Sequence, residues 1–379
     1  MTLIYIIAGE ASGDVLGARL IAALKARRQG LEFRGIGGPE MAAKGVASLF
    51  PMRELSLMGL LEVLPKIFRL RARLAETIAD ILERRPALVV TIDSPGFTLR
   101  VLRGIRGFGI PRVHYVAPQV WAWREGRVKK FPGLWECLLC LLPFEPEFFA
   151  RHNLPARFVG HPVLESGADA GNAARFRAAH GLDDATKILT MMPGSRRTEI
   201  SRLLPILGET FLLVAARVPG IVPVVPVTGP VAAQVEAATA TWAPRPIVVT
   251  TTGEKHDAFA ASSAALVKSG TSTLEVALAG VPMVVGYRVN PITAAIVRRV
   301  VKVQHASIVN LLAGRAVLPE FIQQDCTPAR LAAALVPLLT DPAAARAQRD
   351  DVRPYLDMLR AGKEKPSEAA AAAVLEFLQ

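Results

Sequence analysis

Asp93 stands at the end of an apolar, strand-like run, ALVVTI at 87–92, and is followed by Ser94, Pro95 and Gly96. A carboxylate leaving such a run is partly removed from water, which raises its pKa and suits it to take a proton from an alcohol. Pro95 stiffens the turn behind it. The same place suits an Asp that caps the next helix, and position alone leaves both readings open. A second set of residues suits phosphate. In KILTMMPGSRRTE, 187–199, Gly194 lets the backbone come close, Ser195 sits at a helix entrance, and Arg196 offers a planar fork of donors that bridges two phosphate oxygens. In SGTSTLE, 269–275, Gly270, Thr271, Ser272 and Thr273 offer donors for phosphate. Glu275, one turn in, can accept from both hydroxyls of a ribose. Each segment alone is a capped helix; together with Arg196 they read as a nucleotide-sugar site.

The first half of the chain carries the same device in LIYIIAGEASGD, 3–14, where Glu10, Ser12, Gly13 and Asp14 follow a strand. Ser12 can cap the helix, and the two acids can accept from sugar hydroxyls; a plain helix cap is the alternative. Between 113 and 131, Tyr115, Trp121 and Trp123 stand beside Arg124, Arg127, Lys129 and Lys130. These suit a sugar ring or an anionic head group, and core packing explains the tryptophans equally well. His114 and His161 lack metal-ligand spacing and read as polar cleft residues.

The elements that must position these groups alternate. Strand-like runs at 3–8, 32–36, 87–92, 112–116, 137–141 and 156–159 are separated mostly by helical patterns, such as Leu16, Leu20, Ala23 and Leu24 on one face or Ile78, Ile81 and Leu82 on another. Residues 166–181, rich in Ala, Gly and Asp, read as a linker. The alternation then resumes with strands at 188–192, 221–225, 247–250, 264–267 and 283–286, and only helical patterns follow from Thr327. This predicts an α/β chain of two domains, each a parallel sheet covered on both faces, with ligands beyond the carboxyl ends of the strands and a cleft between the two halves.

A chain of 379 residues with 51% hydrophobic residues can bury two ordinary cores. Its formal charge of +12 favours phosphate-bearing partners. No basic tail or aromatic-interleaved basic stripe is present, which sets nucleic acid aside. Cys137 and Cys140 are spaced by two leucines in a strand-like segment, without a second ligand pair, and read as core. The N-terminal run is not a signal peptide, and the longest apolar stretch, 203–227, is broken by Glu209, Arg217 and prolines, so the expected location is the cytoplasm without a membrane span.

The chain resembles the lipid-A-disaccharide synthase family, inverting glycosyltransferases of the GT-B architecture. The resemblance rests on AGEASGD at 8–14, GGPEM at 37–41, ELSLMGLLEVLP at 54–65, IDSPGF at 92–97, HYVAPQVWAW at 114–123, LPFEPEFF at 142–149, FVGHP at 158–162, PGSRRTEI at 193–200, SGTSTLE at 269–275, PMVVGYR at 282–288 and NLLAGR at 310–315. It implies two Rossmann-like domains: 1–167, facing acceptor and membrane, and 168–349, binding the UDP-sugar, with helices of about 350–379 packing back on the first. The implied reaction transfers sugar from UDP-2,3-diacylglucosamine to 2,3-diacylglucosamine 1-phosphate (lipid X), giving a β-1,6-linked disaccharide 1-phosphate and UDP. Asp93 matches the family's essential carboxylate and Arg196 its essential arginine. Glu275, Arg288, Asn310 and Arg315 fall in the stretches that hold UDP, and Glu10, Ser12 and Asp14 on the acceptor side. No metal or other cofactor is implied, because Arg and helix dipoles can replace Mg²⁺ on a diphosphate. One departure is Gly96, where some members carry a second acid.

Both implied substrates carry acyl chains, so the chain is expected at the anionic cytoplasmic face of an inner membrane, as a peripheral protein. Residues 56–74 offer Leu60, Leu61, Leu64, Ile67 and Phe68 beside Lys66, Arg69, Arg71 and Arg73, an interfacial pattern that a core helix with a basic edge also produces. The family forms homodimers by exchanging C-terminal portions, and the sequence leaves that open here. The competing readings are a UDP-N-acetylglucosamine 2-epimerase, a peptidoglycan lipid glycosyltransferase, or a nucleotide-binding adaptor on the membrane surface without turnover.

Overall fold

The structure, a computed structural model, describes residues 1–55, 63–123, 125–290 and 304–378. The chain divides into two compact units, Met1–Pro162 with Leu359–Gln379, and Val163–Met358, against breaks at 167 and about 350 in the sequence reading.

The first unit is built on strands β1 (Thr2–Ala8), β2 (Leu31–Ile36), β3 (Ala47–Ser48), β4 (Leu88–Ile92), β5 (Arg112–Tyr115), β6 (Cys137–Cys140) and β7 (Ala156–Phe158). They form one parallel sheet in the order β3-β2-β1-β4-β5-β6-β7. Apolar runs with no alternation place side chains on both faces, and all of Ile4–Ala8 and Leu88–Ile92 is buried. Helices α1 (Ala11–Arg27), α2 (Pro39–Ala42), α3 (Val63–Arg84), α4 (Pro95–Gly104), α5 (Val120–Trp123) and α6 (Glu145–Ala150) connect them. On one face Leu20 and Leu24 of α1 pack with Ala370, Ala371 and Val374 of the last helix, Pro366–Leu375. On the other, Leu70, Leu74, Ile78 and Ile81 of α3 pack with Phe97 and Val101 of α4. Cys137 belongs to the first of these cores and Cys140 to the second, so the two thiols lie on opposite faces of the sheet.

The second unit repeats the scheme with β8 (Ile188–Met192), β9 (Val222–Pro226), β10 (Ile247–Val249), β11 (Ala264–Lys268), β12 (Met283–Tyr287) and β13 (Glu320–Ile322), parallel in the order β10-β9-β8-β11-β12-β13. Helices α7 (Ala173–His180), α8 (Arg197–Ala215), α9 (Gly229–Thr239), α10 (Thr252–Ala261) and α11 (Ser272–Leu278) lie between them, and Pro328–Thr340 and Pro342–Asp357 follow. The edge strands β3 and β13 were not anticipated; two exposed and three half-buried residues carry no pattern to read.

In each sheet the strand order reverses once, between β1 and β4 and between β8 and β11. Successive connections leave there in opposite directions, which opens a crevice at the carboxyl ends of the strands. Those ends carry Gly9, Glu10 and Asp93 in the first unit and Gly194–Arg196 and Ser269–Ser272 in the second.

Candidate active site

In the first unit Ala8 of β1 is in register with Ile92 of β4, so Gly9 meets the turn at Asp93 and Ser94. The approach is so close that a Cβ on Gly9 would lie 2.4 Å from Ser94 Oγ. Asp93 and Ser94 both take left-handed backbone conformations, with φ of 48° and 46°. Two successive non-glycine residues of this kind are costly, and the surroundings hold them. Asp93 N–H donates to the Tyr115 carbonyl at 2.9 Å. The buried Thr98 hydroxyl donates back to the Asp93 carbonyl at 2.6 Å and lies 3.0 Å from that of Ser94. Pro95, with φ already helical, starts α4. Burial pushes the Asp93 carboxyl above the usual carboxylate range, and the Ser94 N–H offsets part of that rise. The carboxyl is poised to receive a proton.

The other acceptor-side residues separate into two kinds. Glu10 and Ser12 are exposed at the start of α1, and Ser12 is not its cap; the N-cap position is Glu10, with no side-chain bond. Asp14 is 1% exposed, and its carboxylate accepts from Gly38 N–H (2.8 Å), Glu40 N–H (2.9 Å) and Met41 N–H (3.0 Å). It anchors the GGPEM segment to α1. Gly13 packs under Ala8 and Ile92.

His114 and His161 are not cleft residues. Both are buried, and desolvation pushes them down to about 3 and about 4. His114 Nδ1 lies 2.7 Å from the Thr91 hydroxyl, and its ring stacks on Trp135. Tyr115 is buried as well, and Trp121 Nε1 donates to the buried Glu145, whose carboxyl burial raises to about 7. Trp123 is 39% exposed. Arg124 lies outside the described residues.

In the second unit a cavity of about 330 Å³ opens at the ends of β8, β9, β10 and β11. Gly194, Ser195, Gly270, Thr271, Ser272 and Glu275 line it. Gly194 has φ of 114°, and a Cβ there would lie 2.4 Å from Glu199 Oε2. Glu199 accepts from the N–H groups of Ser195 (3.2 Å) and Arg196 (3.4 Å) and lies 3.1 Å from Lys268 Nζ. Its carboxylate thus marks a place where backbone donors and a cation favour negative charge. Arg196 stands over this turn with its side chain 72% exposed. Glu275 is 2.9 Å from Lys255 Nζ.

Lys255, Lys268 and Glu199 were not singled out in the sequence; the rule that favours strand ends pointed at Lys268, which closes β11. Four proposed UDP residues stand elsewhere. The Thr273 hydroxyl donates to the Gly270 carbonyl at 2.7 Å and shapes the loop rather than the cavity wall. Asn310 is fully buried, accepts from the N–H groups of Val317 (2.9 Å) and Leu318 (2.7 Å), and donates to the Leu318 carbonyl (2.8 Å). Arg315 is ion-paired with Asp351, and Arg288 is exposed after β12. Of the interfacial segment, Leu60 and Leu61 lie outside the described residues, and Leu64 and Ile67 lie on the first turns of α3. Phe68 is 75% exposed, and Arg69 pairs with Glu54 at 3.1 Å.

Residues 4–374 match the model of the lipid-A-disaccharide synthetase family. The chain belongs to that family. A lipid-A-disaccharide synthase of Granulibacter bethesdensis is 55% identical over 387 residues, covering 99% of this chain and 98% of that protein. Membership makes the chain a glycosyltransferase of lipid A disaccharide formation. Among solved structures, a UDP-GlcNAc 2-epimerase from Neisseria meningitidis bound to UDP-GlcNAc superposes with a TM-score of 0.64 at 13% identity, covering 100% of this chain and 99% of that one. A spinosyn rhamnosyltransferase complexed with thymidine diphosphate gives 0.60 at 13% identity, covering 99% and 100%. These two share the fold, GT-B, which serves epimerases and transferases alike. The family match therefore decides against the epimerase, peptidoglycan and adaptor readings.

Proposed function

We propose that the chain joins UDP-2,3-diacylglucosamine to lipid X through a β-1,6 linkage. In a single inverting displacement, Asp93 takes the proton of the acceptor hydroxyl as its oxygen bonds to the anomeric carbon. The bond from that carbon to the diphosphate breaks, and its electron pair leaves with UDP. Arg196, Lys268 and the N–H groups of Ser195 and Arg196 then face the departing charge, so that Glu199 yields its place to the diphosphate. Gly194, Gly270, Thr271, Ser272 and Glu275 surround the nucleotide. Glu10 and Ser12 face the acceptor, while Asn310 acts through the loop it fixes. The single observation that carries this reading is the Asp93 carboxyl, raised by burial and held on a strained turn at the strand-order reversal.

The acyl chains of both substrates require a membrane surface, and we assign the enzyme to the cytoplasmic face of the inner membrane. Support comes from the exposed Phe68 beside Arg69 and Arg71 and from the net charge of +12. Among the described residues no helix is long and apolar enough to cross a membrane. Purified protein in detergent micelles, with a chelator present, is expected to release UDP only when lipid X is added and to form one disaccharide per UDP. UDP release that ignores lipid X, or absence of disaccharide across several acyl lengths, contradicts the reading.

A further inference from the structure

A second cavity in the first unit, of about 410 Å³, begins where the Asp93 turn ends, with Pro95 and Gly96 in its wall. Among the described residues four cations line it and no acid does: Arg100 and Arg103 from α4, Arg127 and Lys130 from the 3₁₀ segment Glu125–Lys130. Each pair is spaced i, i+3, which puts its members on one side of a helix, most strictly in the 3₁₀ form. Among the described residues none of the four is ion-paired with a carboxylate. The one bond recorded among them is from Arg103 Nη2 to the Lys130 carbonyl at 3.3 Å. Elsewhere in this unit arginines do have acids: Arg73 with Glu54, Arg112 with Glu136, Arg157 with Glu376. Like charges gathered without a counter-charge repel one another, and a bound anion relieves that repulsion. Phe131 and the indole of Trp123 supply apolar wall beside the cations.

We propose that this cavity is the subsite for the phosphate of the acceptor lipid. The proposal rests on the reaction given above, in which the acceptor presents its 6-hydroxyl to Asp93 and carries a phosphomonoester on C1, on the other side of the ring oxygen. Arg100 and Arg103 lie five and eight residues beyond Pro95, about 8 and 12 Å along α4 at 1.5 Å per residue. Long side chains at that distance reach back to a phosphate while the 6-hydroxyl of the same sugar stays at the Asp93 turn. The guanidinium forks match the phosphate oxygens, and the aromatic wall takes the apolar part of the same molecule. The pocket thereby reads the phosphate and aligns the hydroxyl.

The test compares wild type with the double variant Arg100→Gln/Arg127→Gln, both positions being exposed, on lipid X and on its dephosphorylated form in detergent micelles. The expected result is a KM for lipid X raised about tenfold or more, a KM for the UDP-sugar within about twofold of wild type, and no change in kcat/KM for the dephosphorylated acceptor. Equal losses on both acceptors overturn the proposal. So does an unchanged KM for lipid X accompanied by lost binding to phosphatidylglycerol vesicles, which assigns the cations to the membrane. Equilibrium binding of lipid X to Asp93→Asn, with and without the double substitution, is read separately. A drop of about tenfold supports the subsite even where wild type forms no disaccharide, and equal binding refutes it even where wild type is active.

Discussion

Asp93 combines a raised pKa with a backbone conformation that the surrounding bonds enforce, and both properties have measurable consequences. A base with a raised pKa is protonated over a wider acid range. Transfer should therefore fall as pH drops through a midpoint above the ordinary Asp value of about 3.9. The same shift links to stability. The folded chain holds this proton more tightly than the unfolded chain does, so the contribution is full below the unfolded pKa and is lost as pH rises through the folded one. Asp93→Asn does not titrate. It should melt at or above wild type at pH 8, with the gap closing toward pH 4; a variant less stable at pH 8 would show that the carboxylate is favourably paired instead. Residues of this kind were legible because a carboxylate at the end of an apolar strand has few positions to occupy. Asp14 and Asn310 were not, since their partners lie at Gly38–Met41 and Val317–Leu318, and nothing in AGEASGD or NLLAGR announces those pairings.

At the scale of elements, the turns at the ends of β1, β4, β8 and β11 do the positioning, and side chains one step behind fix the turns. Asp14 ties α1 to the segment that starts α2 through three backbone donors. Replacing it by Ala leaves those donors without their acceptor in a buried place and should cost about 2–4 kcal/mol in urea unfolding, whereas a loss below about 0.5 kcal/mol would mean that water replaces the carboxylate freely. Gly9→Ala should act differently. Its methyl would press on Ser94 and displace Asp93, so transfer should fall about tenfold or more while UDP affinity holds. Loss of UDP affinity in that variant would contradict the division of roles. The main strands were readable because buried parallel strands are continuous apolar runs; β3 and β13 were hidden by their length and exposure. The histidines misled because a polar residue in a buried strand looks the same in sequence whether it faces a cleft or, as His114 does, a tryptophan inside the core.

For the whole molecule, an excess of twelve positive charges favours anionic surfaces. Co-sedimentation with phosphatidylglycerol vesicles should be strong at low salt and should weaken as salt screens the attraction. Equal binding to neutral vesicles would transfer the role to apolar insertion alone. Lys255 and Lys268, which the sequence did not distinguish from surface lysines, both line the cavity of the second unit, and each is balanced there by an acid, Glu275 and Glu199. The role of Asp93 as the base of disaccharide formation is decided by single-turnover transfer from UDP-2,3-diacylglucosamine to lipid X, wild type against Asp93→Asn, with UDP binding measured on both. Under that role disaccharide is expected from wild type alone, with equal UDP affinity in the two proteins. Transfer by Asp93→Asn at the wild-type rate would contradict it.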